Sequence, residues 1–301
     1  MPELPDVTVY TERLLALAGG QRLARVRLPN PFVLRTALPP IADAQGLRLG
    51  DVQRLGKRIV LVLADDDPPR ERLLVIHLMI AGRLRWLLPG ARLPGRGALA
   101  ALDFEQGTLL LTEAGSQRRA SLHLLADRAA LDAIDPGGAE VFALDDAGFA
   151  ERLRRENHTL KRALTDPRLL RGIGNAYSDE ILHRARLSPL ALSRSLDDAA
   201  MQRLHRAACA VLGEWTERLR AEAAGQPGLP DKVTAFRPQM TVHGRFGQPC
   251  PDCGAPVQRI VHARNETNYC ARCQTGGRLL ADRALSRLLK DSWPRHIDDA
   301  L

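Results

Sequence analysis

The sequence predicts an α+β protein: an N-terminal antiparallel β-sandwich with a leading helix, then a helical domain, then a small cysteine-bearing β-hairpin. Three observations lead there. Apolar residues in the first half recur at period two in short runs, from about Asp145 they recur at helical spacing, and four cysteines fall in two pairs near the C-terminus.

Each element follows in order. Val7–Leu17 repeats apolar side chains every three or four positions, as one face of a helix does. Ile59–Leu63, Leu73–Leu78, Ala98–Phe104 and Thr108–Thr112 are apolar runs of strand length, divided by Gly, Pro and Asp-rich turns. Helical spacing then marks Ala147–Arg155, a segment around Leu160–Leu164, Tyr177–Ala185 and a long amphipathic stretch from Leu196 to about Ala223. Gly225–Arg237, with its Gly and Pro clusters, reads as a linker or loop. Beyond the cysteines, Leu279–Leu289 returns to helical spacing and ends before Pro294. The expected domains are residues 1–135 for the sandwich, 136–225 for the helical part, 226–276 for linker and hairpin, and 277–301 for a C-terminal helical extension. Cys209 stands unpaired in a helical stretch, where a small buried side chain is expected.

The cysteines form Cys250-Pro-Asp-Cys253 and Cys270-Ala-Arg-Cys273, with sixteen residues between the pairs. That spacing lets each Cys-x-x-Cys turn offer two thiolates to one tetrahedral zinc ion, with a hairpin returning the second pair to the first. Four thiolates saturate such a site, so the metal is expected to be structural and single. His262, between the pairs, is expected to face solvent or a partner. A disulfide pairing is the alternative, and it belongs to oxidising compartments.

Charge points to a partner. The 301 residues carry a formal charge of +8, and 39 of the 43 basic residues are arginine, whose planar fork suits phosphate. Residues 1–150 hold 18 basic and 18 acidic side chains, whereas 151–301 hold 25 and 17, so the positive excess lies in the half with the cysteines. A polyanion such as nucleic acid fits this distribution. No apolar run reaches the roughly 18 residues of a membrane span, so no membrane partner is expected.

Two short motifs add chemistry. Gly172-Ile173-Gly174-Asn175 precedes a helical stretch, where backbone N–H groups and the helix dipole favour a phosphate; glycines that merely close an interhelical turn would look the same. The start, Met1-Pro2-Glu3-Leu4-Pro5-Asp6, exposes a secondary amine once methionine is removed. An α-amino group titrates near about 7.7–8.0, so part of it is a free nucleophile at neutral pH; a plain disordered end is the alternative for this motif taken singly.

Together the Pro-Glu-Leu-Pro start, the Gly56-Lys57 hairpin, the segment ending Gly-Ile-Gly-Asn-Ala-Tyr and the cysteine hairpin closing in Cys-Gln resemble the formamidopyrimidine-DNA glycosylase and endonuclease VIII family along nearly the whole chain. The resemblance implies a bifunctional base-excision enzyme, with a helix-two-turn-helix in the helical domain and a DNA-binding zinc hairpin. Pro2 would attack C1′ of the damaged nucleotide, Glu3 would protonate the opening sugar, and Lys57 would contact phosphate and donate a proton during β-elimination. Asn175 would bind a phosphate beside the lesion, and Arg118 would reach into the gap opposite it. Cys250, Cys253, Cys270 and Cys273 would hold the zinc. The implied partner is double-stranded DNA with damaged bases or abasic sites, met by a monomer in a bacterial-type cytoplasm, at the nucleoid.

Departures from the family pattern imply shifted specificity. The hairpin arginine expected five residues before the third cysteine is replaced by Asn265, with Arg264 one residue away and Glu266 beside it. Ile80 stands where the pattern has methionine, and Ala120 where it has phenylalanine. Loss of the hairpin arginine should weaken δ-elimination, and loss of a wedge aromatic should favour poorly stacked or single-stranded DNA. Two other readings fit part of this: a zinc-containing protein that binds damaged or bent DNA without cutting it, and a zinc-ribbon protein on RNA.

Overall fold

The computed structural model describes residues 1–66, 69–114, 118–230, 237–262, 265–281 and 294–299. They form two compact units, Met1–Pro136 with Trp215–Thr234, and Gly137–Glu214 with Ala235–Leu301.

The first unit begins with helix α1 (Leu4–Ala18), started by Glu3, whose backbone N–H donates to Asp6 Oδ2 at 3.0 Å. Two four-stranded antiparallel sheets follow. One takes the order β2 (Arg48–Leu55), β3 (Arg58–Asp66), β4 (Pro69–His77), β8 (Ser121–Leu125). The other runs β1 (Leu23–Arg27), β6 (Ala98–Phe104), β7 (Thr108–Glu113), β5 (Gly82–Leu87). Strand alternation explains the packing. Ile59, Leu61 and Leu63 of β3 point into the shared core with Leu102, Leu109 and Leu111 of the second sheet and Tyr10 and Leu14 of α1. The intervening Val60 and Val62 lie in a second cluster with Leu131 of α2 (Arg128–Ala133). β3 reads as a continuous apolar run because both its faces are covered.

β1, β2, β5 and β8 go beyond the sequence expectation. Arginines at alternate positions, as in Leu23–Arg27 and Gly82–Leu87, hide the apolar face in a short strand. Ala120 also departs from expectation. It is 3% exposed within the sandwich core, and its N–H donates to the buried Glu113 carboxylate at 3.0 Å, so it is not a surface wedge position.

The second unit holds α3 (Asp146–Arg154), α4 (Leu160–Thr165), α5 (Asn175–Arg184) and the first part of α6 (Asp198–Ala224). Its core includes Phe149, Leu153, Leu164, Ile181, Leu204 and Leu212. Cys209 on α6 is half-buried, not fully buried as expected; burial still pushes its thiol up. The last residues of α6 belong to the first unit, where Leu219 and Ala223 pack on Val9 of α1. Gln226–Pro230 are anchored there too. Leu229 enters the sandwich core, and the Arg13 guanidinium donates to the carbonyls of Gln226 and Gly228 at 2.6 and 3.1 Å.

The cysteine hairpin pairs β9 (Gln258–His262) with β10 (Asn265–Tyr269), and α7 (Ala271–Thr275) follows. The chain beyond folds back onto this module. Leu280 and Ile297 join Val242, Cys250, Val257 and Tyr269 in one apolar cluster, and the Leu280 N–H donates to the Tyr269 hydroxyl at 2.8 Å. Ile297 N–H donates to Gly277 O at 2.8 Å, and Arg272 pairs with Asp298 at 2.9 Å. Leu279–Ala281 are not helical, and the remainder of the helix expected over Leu279–Leu289 lies outside the described residues. Among the described residues no helix is long and apolar enough to cross a membrane.

Candidate active site and zinc centre

In the first unit the chemistry gathers at the start of α1. Pro2 and Glu3 are buried, and Glu3 sits at the helix N-cap. Burial lowers the pKa of the terminal amine, carried here by Met1, from its ordinary 8.0; nearby Glu3 and Asp6 oppose the shift, and Arg83 and Lys57 reinforce it. Lys57 owes its position to a two-residue turn between β2 and β3, where Leu55 pairs with Arg58 and Gly56 takes φ +62°. Glycine suits that first turn position because it tolerates positive φ without steric cost.

Around Lys57 and Arg58 two histidines are held neutral, chiefly by burial and further by the neighbouring cations. Burial, with Arg58, Lys57 and His123 around it, depresses His77 to about 4, so its imidazole is neutral at pH 7. His123 is lowered for similar reasons, by burial and by Arg58 and Arg35. Arg58 donates to Ile134 O at 2.8 Å, and β4 pairs His77 with Arg58 across the ladder. The sequence by pattern assigns no role to Asp6, Arg83, Arg58 or His123. The one available signal is the Asp three residues after Glu3, a helix-start pattern. Ile80 is 62% exposed in a loop where Met79 has φ +52°. Arg118 is exposed, next to residues outside the description.

In the second unit α5 is the organiser. Every residue from Ala176 to His183 is buried, yet the run includes Ser178, Asp179, Glu180 and His183. A buried polar group is costly unless it is bonded, and each carboxylate here is. Asp179 accepts from Lys161 Nζ at 2.5 Å and meets His243 Nδ1 at 2.7 Å. Glu180 accepts three successive backbone N–H groups, from Thr241 at 2.7 Å and from Val242 and His243 at 2.9 Å each. Lys161 also donates to Asn175 O at 2.6 Å, and the Asn175 amide donates to Glu266 O of β10 at 2.8 Å. Asn175 therefore stands at the helix start against the hairpin strand that carries Asn265, which is exposed and pairs with His262. Arg264 and the His262 side chain lie outside the described residues.

The four cysteines converge. Cys253 and Cys270 Sγ are 3.4 Å apart, Cys250 and Cys273 Sγ 4.0 Å. Thiolates about 2.3 Å from a tetrahedral zinc lie roughly 3.8 Å from one another, so the donor set fits zinc in kind and spacing. Burial pushes the Cys270 thiol up to about 12 and raises Cys273 as well. A dication reverses that preference, and its binding must release protons. One further donor carries no signal in the cysteine spacing. His183 of α5 puts Nε2 3.3 Å from Cys250 Sγ.

Comparisons agree with this architecture. Residues 1–124 match the family model described as the formamidopyrimidine-DNA glycosylase N-terminal domain, 135–222 the H2TH domain of the same enzymes, and 247–276 the zinc finger found in FPG and IleRS. A formamidopyrimidine-DNA glycosylase of Thermus thermophilus is 37% identical over 287 residues, covering 92% of this chain and 100% of the relative. The crystal structure of the MutM (Fpg) protein from that organism aligns with a TM-score of 0.75 at 34% identity, over 91% of this chain and 98% of the other. Lactococcus lactis Fpg, solved in complex with DNA containing an abasic site, shares the fold with a TM-score of 0.79 at 23% identity, over 91% and 99%.

The sandwich, H2TH domain and zinc finger define a DNA-repair glycosylase that carries one structural zinc. The chain belongs to the formamidopyrimidine-DNA glycosylase family of DNA N-glycosylases with AP lyase activity.

Proposed function

We propose that this enzyme removes damaged bases from duplex DNA through Pro2, freed by removal of Met1. The observation that carries the reading is the buried Pro2 beside the buried Glu3 at the start of α1, where burial lowers the pKa of the Met1 amine one residue before and Asp6, Lys57 and Arg83 act on it. A neutral amine is the reactive form, and burial favours it. The Pro2 nitrogen forms a bond to C1′ as the bond to the base breaks, and the proton the amine gives up is returned to the departing base. Glu3 protonates the sugar ring oxygen as the ring opens, which leaves an iminium between Pro2 and C1′. The iminium acidifies C2′; loss of that proton expels the 3′ phosphate, and Lys57 donates a proton in this β-elimination. Asn175, at the start of α5, binds a flanking phosphate, and Arg118 enters the gap opposite the lesion.

Cys250, Cys253, Cys270 and Cys273 hold the zinc, which supplies structure and no reacting atom. Asn265 lacks the charge to steady a departing phosphate, so δ-elimination is weak unless Arg264 replaces it. The enzyme acts as a monomer on nucleoid DNA.

Borohydride trapping on an abasic duplex tests this, with wild type, Pro2→Gly and Lys57→Ala compared on one gel. A covalent complex is expected with wild type and not with Pro2→Gly, with mainly β-elimination ends. Tight binding without trapping, on a chain whose mature start is verified as Pro2, would leave a non-catalytic binder of damaged DNA. Full β,δ-elimination at ordinary rates would refute the role given to Asn265.

A further inference from the structure

We infer that His183 is a reserve zinc ligand, able to take the fourth coordination position from Cys253. His183 Nε2 and the sulfurs of Cys250, Cys270 and Cys273 all lie within 4.8 Å of one another, a second four-donor set overlapping the four cysteines. The two sets differ in one member. Cys253 is exposed, whereas His183 is 3% exposed and comes from a different element, the buried helix α5.

That helix holds the imidazole in place. Glu180, three residues earlier, grips the backbone of 241–243, and Asp179 pairs with His243. The segment so gripped leads directly to Cys250. The cysteine spacing alone does not call for a histidine at 183, and a buried imidazole needs a polar partner, which here is Cys250 Sγ at 3.3 Å.

In such an exchange Cys253 would leave as a thiol, its sulfur taking a proton from water, and neutral His183, with its ring proton on Nδ1, would offer the Nε2 lone pair in its place. Four thiolates, and three thiolates with one imidazole, are both established zinc donor sets. The finger thus keeps its metal when its most accessible thiolate is alkylated or otherwise lost. This rests on Cys250, Cys270 and Cys273 being ligands, and a variant with Cys250→Ser and Cys270→Ser together, which leaves only Cys253, Cys273 and His183, tests that assignment separately.

The experiment uses the full chain in four variants: Cys253→Ser, His183→Phe, these two combined, and Cys250→Ser combined with Cys270→Ser, which leaves only three donors. Zinc per chain is measured by elemental analysis, and cobalt-substituted protein gives the thiolate charge-transfer band, whose intensity follows the number of sulfurs. Circular dichroism confirms folding. The expectation is one metal in Cys253→Ser with a three-thiolate spectrum, one metal in His183→Phe with a four-thiolate spectrum, and loss of metal in both double variants. A histidine acting only as hydrogen-bond donor to Cys250 would cost about 10–100-fold in affinity and leave the spectrum of Cys253→Ser unchanged by the second substitution. That result, or loss of metal from Cys253→Ser alone, overturns the proposal. Full metal in the variant lacking Cys250 and Cys270 would instead refute the ligand assignment beneath it.

Discussion

Replacing Glu180 by alanine removes the carboxylate that accepts from the backbone of Thr241, Val242 and His243 at 2.7–2.9 Å. Those three N–H groups form a concave donor set of the kind that binds anions, and the carboxylate is almost completely buried in it. Hydrogen bonds to a charged group contribute about 1.5–3 kcal/mol each. Three of them sum to about 4–9 kcal/mol, and water entering the vacated space recovers part, so a net loss of about 4 kcal/mol is expected. Glutamine should cost less, about 2 kcal/mol. One amide oxygen can keep the Val242 and His243 donors, but the amide nitrogen then faces the Thr241 N–H. The assay is urea unfolding of the zinc-loaded chain, with zinc release followed by a chelating dye. Glu180→Ala should release zinc at lower urea than wild type, with Glu180→Gln between them. If Glu180→Ala unfolds within about 1 kcal/mol of wild type, the reasoning that these bonds anchor the finger is wrong.

Further outcomes are expected. Deleting the chain after Arg278 removes Leu280, Ile297 and the Arg272–Asp298 pair from the zinc module, and should speed zinc loss to a chelator; unchanged kinetics would show the tail to be dispensable. Gly277→Ala should act in the same direction, because a Cβ there would meet the His296 ring at 2.0 Å and the residue has φ +89°. His77 is depressed from 6.5 to about 4, so the unfolded chain binds its proton first as pH falls. Stability from this group is complete above pH 6.5 and is lost down to about pH 4, by at most about 3 kcal/mol, and His77→Gln should flatten acid unfolding in that window. Leu229→Ala should cost about 2–5 kcal/mol in the sandwich unit, measured by thermal unfolding, since it empties a core position.

Elements whose signal is local are legible in the sequence alone. Cys-x-x-Cys pairs, helical spacing in α3 to α6, and the apolar runs of β3, β4, β6 and β7 each declare themselves within a short stretch of chain. The ordered set of the N-terminal proline, Lys57, the Gly-Asn turn and the cysteine hairpin is enough to indicate the family. Features that depend on partners distant along the chain emerge only in the folded molecule. β1, β2, β5 and β8 are strands because a neighbouring sheet covers one face, while their alternate polar residues conceal that face from a periodicity count. Ala120 is a core residue and not a surface one because the fold turns it inward. In sequence the Asp179-Glu180 pair and His183 look like an ordinary polar helix face. Their roles appear only when Lys161, His243, the 241–243 backbone and Cys250 are brought against α5. A buried charge is tolerated only with its partners in place, and those partners are 18 to 67 residues away in sequence.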